Sequence, residues 1–68
     1  MNENKNDEAL KIFKLNTELY PQGYNTFDSY GECLLKLNQI PEAVKAYQKS
    51  LELNPNNKQA KKVIEKYR

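Results

Sequence analysis

The chain is predicted to be all-α, a short helix–turn–helix solenoid of four antiparallel helices. Three observations predict it. Apolar residues recur at three- and four-residue spacing in four stretches. The three prolines fall at the edges of those stretches. A shift of 34 residues lays the chain on itself: Glu8 falls on Glu42, Ala9 on Ala43, Leu10 on Val44, Phe13 on Tyr47, Leu19 on Leu53 and Pro21 on Pro55. Self-similarity at this period marks stacked helical hairpins.

Residues 1–6 are polar and asparagine-rich, and are expected to be disordered. From Asp7 the pattern turns helical, with Ala9, Ile12, Phe13, Asn16 and Leu19 or Tyr20 on one side and Lys11, Lys14 and Glu18 on the other. Asn4 suits the cap, and Asp7 and Glu8 suit the first turn. Residues 7–22 thus read as the second helix of a truncated repeat, stopped by Pro21 and reversed at Gln22-Gly23.

A complete repeat follows at residues 24–57. Its first helix is expected to start near Asn25 or Thr26, with Phe27, Tyr30, Gly31, Leu34 and Leu37 on one stripe. Gly31 costs a helix interior about 1 kcal/mol against alanine, which implies that another backbone passes close by. Asn38 stands where a left-handed residue ends a helix. Pro41, Glu42 and Ala43 open the second helix, whose apolar face carries Ala43, Val44, Tyr47, Ser50 or Leu51, and Leu53. Asn54-Pro55-Asn56-Asn57 closes it. Residues 58–68 form a capping helix with Ala60, Val63, Ile64 and Tyr67 inward and Lys61, Lys62, Glu65 and Lys66 outward.

Chains below roughly 70–80 residues rarely gain more than about 3–5 kcal/mol from a single core. Cys33 is the one cysteine and histidine is absent, so no intrachain disulfide and no ordinary zinc site is available. Regular packing or self-association must supply the stability. The net charge is +2, with the excess of lysine in the last segment, where cations suit a helix C-terminus. No apolar run approaches the ~18 residues of a membrane span.

Nor does the chain offer a catalyst. It has no histidine base, no G-x-S-x-G elbow and no glycine-rich phosphate loop. Asp28 and Glu32 lie one turn apart, but such surface carboxylates are usually solvated or, as with Glu32 and Lys36, paired along the helix. No catalytic residue, metal or cofactor is expected. Cys33 reads as a small buried hydrophobe, and Tyr20 and Tyr24 as the more exposed tyrosines.

The segment Tyr24–Asn57 resembles a tetratricopeptide repeat. Phe27 stands at the family's large aromatic, Tyr30-Gly31 at its Leu-Gly, and Leu34 at its second aromatic. Ala43, Tyr47, Ser50 (usually alanine) and Pro55 fill the remaining places, while Asn38 replaces the usual glycine and Pro41 is an addition. The runs LNTELYP, GYNTFDSYGECLLKLN and EAVKAYQKSLELNPNN are also similar to C-terminal repeat tails on bacterial serine hydrolases of the esterase and beta-lactamase-like kind.

These resemblances imply a non-catalytic protein-interaction module, a C-terminal appendage of a larger enzyme. The family's concave groove maps to Asn25, Asp28, Ser29, Glu32, Leu35 and Lys36, continued by Gln59, Lys62, Val63 and Lys66. An extended peptide would bind there, whereas helix 7–20, whose covering helix is absent, would meet an upstream domain or a second copy. Asp28 and Ser29 depart from the form that clamps chaperone C-terminal carboxylates, and so argue against that ligand. Two alternatives stand beside the groove. One is a self-association tail, a homodimer through helix 7–20, whose Ile12, Phe13 or Leu19 lacks a covering helix. The other is an anionic polymer or surface held by Lys58, Lys61, Lys62, Lys66 and Arg68; neither a membrane nor nucleic acid is the favoured partner. A free-standing chain is expected in the cytoplasm, and the tail of a secreted hydrolase outside it. Replacing Asp28 and Glu32 with lysine is expected to abolish groove binding with little loss of stability.

Overall fold

A computed structural model describes residues 5–67. Four helices follow one another with no strand among the described residues: α1 (Lys5–Leu19), α2 (Tyr24–Lys36), α3 (Ile40–Leu53) and α4 (Lys58–Tyr67). Helix α2 packs against α3, with α1 on the other side of α2 and α4 on the other side of α3. The Cα envelope measures 39 × 27 × 14 Å, the flat form of a row of stacked helices rather than a closed bundle. No described helix is long and apolar enough to cross a membrane.

Helix α1 already runs at Lys5, two residues before Asp7, and its first turn holds both Asp7 and Glu8; the Asn4 cap lies outside the described residues. The chain reverses after Leu19 through a turn in which the Gly23 amide donates to the Tyr20 carbonyl at 2.9 Å. Helix α2 then begins at Tyr24, one or two residues earlier than its sequence suggests. Its cap is Gly23, with no side-chain cap bond; instead the Thr26 hydroxyl donates back to the Gly23 carbonyl at 2.7 Å.

The end of α2 follows the sequence closely. Asn38 is left-handed, with φ 62°. The Gln39 amide donates to the Leu34 carbonyl and the Asn38 amide to the Leu35 carbonyl, both at 2.9 Å. This pair of bonds satisfies carbonyls that the helix end would otherwise leave open. Pro41 then enters the first turn of α3, where a missing amide proton costs nothing.

The core is small. Leu34, Ala43 and Ala46 form its centre, with Leu10, Tyr30 and Leu35 packed around them, and Tyr47 is its largest wholly buried side chain. Gly31 makes this possible. A Cβ built there would stand 2.7 Å from the Tyr47 ring, so only glycine lets α2 lie this close to α3. Ala46, unmarked by the sequence pattern, is buried with the rest. Phe27 and Tyr30 remain half-exposed.

Candidate functional site

The concave stripe divides in the structure. Ser29, Glu32 and Lys36 come together along a cleft between α1 and α2 of about 140 Å³. Ala9, Phe13 and Cys33 complete its lining. Helical spacing explains the grouping, since 29, 32, 33 and 36 share one face of α2, and 9 and 13 share one face of α1. The lining is thus apolar on one side, with a hydroxyl, a carboxylate and an ammonium on the other. Glu32 and Lys36 are exposed and make no ion pair; the pair among the described residues is Lys49–Glu52, at 3.9 Å.

Cys33 is buried beneath this cleft. Burial pushes its thiol above the ordinary 9.0; the Lys36 ammonium opposes the shift, and Asp7 and Glu32 add to it. A thiol held protonated is a poor nucleophile, in keeping with a packing role.

Asp28 belongs to a different assembly. Its carboxylate accepts from the Ser50 hydroxyl at 2.7 Å. The Asn57 side-chain amide reaches both carboxylate oxygens at 2.9 Å and the Ser50 oxygen at 2.8 Å. Ser50 is wholly buried and also lies 2.9 Å from the Tyr24 carbonyl. With one proton to give, the hydroxyl favours the charged and closer acceptor. Asn57 turns its other end to α4, where its side-chain oxygen accepts from the Ala60 amide at 3.2 Å and caps the helix. Asp28 therefore ties α2 to the end of α3 and the start of α4. The expectation that replacing Asp28 and Glu32 with lysine costs little stability is corrected on this ground: at Asp28 the substitution would strip the acceptor from two buried donors.

Leu35 also departs from the groove, since it packs against the core cluster. Asn25 is exposed at the start of α2, and Gln59, Lys62 and Lys66 are exposed on α4 in the same register one unit on. Gln59 is tied to the Tyr47 phenol by a side-chain hydrogen bond. Lys66 extends its ammonium 5.3 Å from the centre of the Tyr67 ring, a cation–π distance. Val63 is half-buried, and Lys58 and Lys61 are exposed; Arg68 lies outside the described residues.

Sequence reasoning missed Ser50 and Asn57 as polar partners. An asparagine directly before a helical run is a cap signal, and its spare amide then needs an acceptor. That the acceptor is Asp28, on a helix 29 residues away, has no local signature.

Residues 31–57 match the family model of the tetratricopeptide repeat. The fold is a short tetratricopeptide-like solenoid. Over 56 residues the chain is 38% identical to the protein O-mannosyl-transferase TMTC3 of Homo sapiens, and equally to that of Mus musculus. The matched stretch covers 82% of this chain and 6% of either relative. No solved structure matches the chain significantly. The tetratricopeptide-like hairpin accounts for Gly31 against Tyr47 and for the helix order, while Asp28, Ser50 and Asn57 add a polar junction to it.

Proposed function

We propose that this chain is a non-catalytic recognition module that takes an extended peptide along its concave side. The observation that carries the reading is the cleft between α1 and α2, with Ala9 and Phe13 facing Ser29, Glu32 and Lys36. Its size suits one small apolar side chain of a peptide. Glu32 and Lys36 would pair with charges of both signs beside that side chain, and Gln59, Lys62 and Lys66 would extend the contact to α4. Asp28 and Leu35 would serve the scaffold rather than the ligand.

The module would work as one segment of a larger polypeptide. The relatives support this, because the stretch they share is a small fraction of their length. An appendage to an enzyme, as the likeness to hydrolase tails implies, is one form of the same proposal. Selection from a random peptide library displayed on phage tests the groove. The charge swap Glu32→Lys with Lys36→Glu should invert the charges flanking the apolar residue of the selected peptides. Selection that yields no consensus, or one indifferent to the swap, would count decisively against groove binding.

A further inference from the structure

Helix α1 is apolar on two opposite sides. Leu10 packs on the core and Thr17 is buried. At 100° per residue, Ile12, Leu15 and Leu19 lie on the side away from them. They are 59%, 51% and 60% exposed, and Tyr20 beside them is 61% exposed. Three large exposed side chains on one stripe of a helix exceed the scatter of apolar residues ordinary for a surface, and mark a contact face.

The internal shift provides the comparison. Ile12, Leu15 and Leu19 fall on Ala46, Lys49 and Leu53 of α3. Lys49 is exposed and paired with Glu52; at the same place α1 carries a leucine. A helix stacked on α1 as α2 stacks on α3 would cover Ala9, Ile12, Phe13 and Asn16, the counterparts of the buried Ala43, Ala46, Tyr47 and Ser50. It would leave Leu15 in water. The exposed stripe therefore shares Ile12 with the stacking face and extends beyond it at Leu15, where stacking alone would leave a leucine uncovered.

We propose that a second copy of this chain covers it, the two α1 helices lying antiparallel about a twofold axis. Ile12 of each copy then meets Leu15 of the other. The same pairing sets Lys11 beside Glu18 of the partner subunit, and the axis repeats the contact, so the flanking charges complement each other twice. A parallel pairing would offer Lys11 only the neutral Asn16. Lys11 and Glu18 are both exposed, and neither is ion-paired within the chain among the described residues. The patch is small, at the low end of specific interfaces, and predicts a dimer that forms in the micromolar range or above. It is separate from the concave cleft, and the groove reading does not depend on it.

Sedimentation velocity on the 68-residue chain, from about 1 µM to about 1 mM, brackets such an affinity. The expected result is a concentration-dependent shift from monomer to dimer. Leu15→Lys, which installs the residue α3 already carries, should raise the dissociation constant at least about 10-fold while leaving the helical circular dichroism unchanged. Lys11→Glu should weaken the dimer, and adding Glu18→Lys should restore it. A monomer at every concentration overturns the proposal and leaves the face to a helix of another unit. So does a dimer that ignores Leu15→Lys, or a charge swap that fails to restore. Peptide selection repeated on Leu15→Lys should give the same consensus, which separates the fate of this interface from that of the groove.

Discussion

The middle and the last turn of helix α3 are held by different physics. Towards α2 it presents Tyr47 to the bare backbone of Gly31, an apolar contact that fixes how closely two helices lie. At its last turn it contributes Ser50 to the Asp28 carboxylate of α2 and to the Asn57 amide at the head of α4, a polar junction that fixes how the chain turns into the next helix. Close packing tolerates no change of volume, and a satisfied polar cluster tolerates no loss of a partner. One repeat thus uses bulk to set spacing and hydrogen bonds to set direction.

The largest effect should come from the apolar side. Tyr47→Ala removes the main buried side chain and should cost about 3–5 kcal/mol, as much as a chain of this size holds in reserve. Circular dichroism at 20 °C should show a largely unfolded chain. Gly31→Ala should cost about 1–3 kcal/mol by overpacking, despite alanine's better helix propensity; urea melting measures it, and a stabilised variant would refute the close-approach account.

The polar side should yield somewhat less. Asp28→Ala leaves Ser50 and Asn57 without their shared acceptor and should cost about 1–3 kcal/mol. A double-mutant cycle of Asp28→Ala with Asn57→Ala should show coupling of at least about 0.5 kcal/mol, and additivity would dissolve the junction as a unit. Glu32→Lys, on the same helix but with no hydrogen bond or ion pair among the described residues, should change stability by less than about 0.5 kcal/mol.

Alkali offers a finer test of the apolar side. Burial raises the Tyr47 phenol above its ordinary 10.0, with Glu32 and then Asp28 adding to the shift and the Gln59 hydrogen bond opposing it. Burial likewise raises Cys33 above 9.0. A group whose pKa is higher in the folded state contributes stability that is complete below its unfolded pKa and is lost as pH rises through the folded value. Melting temperature should therefore hold to about pH 9 and fall above it. Tyr47→Phe should flatten the steeper part beyond pH 10, and an unaltered slope there would place the loss elsewhere.

Much of the fold was legible because its signals are local. Asn38 announces a left-handed helix end from its own chemistry, and Gly31 announces a close approach by its cost, although what approaches it is the Tyr47 ring and not the expected backbone. The start of α2 was less legible, because Gly23 caps through its backbone and offers no side chain to recognise. The site was legible by halves. Spacing put Asp28, Ser29, Glu32 and Lys36 on adjoining faces of one helix, and three of them do line a cleft. Spacing could not show that Asp28 is claimed by Ser50 and Asn57, since those partners come 22 and 29 residues later. Leu35 was misplaced for a related reason: a residue at the border of two faces is assigned by its neighbours in space.

The double use of Asn57 has a consequence for how the molecule comes apart. One end of its amide nucleates α4, and the other is anchored to the α2–α3 hairpin. The first turn of α4 therefore cannot open without releasing Asp28. Amide protons of Ala60 and Lys61 should exchange with deuterium in step with those in the middle of α3, so that α4 opens with the hairpin and not by itself.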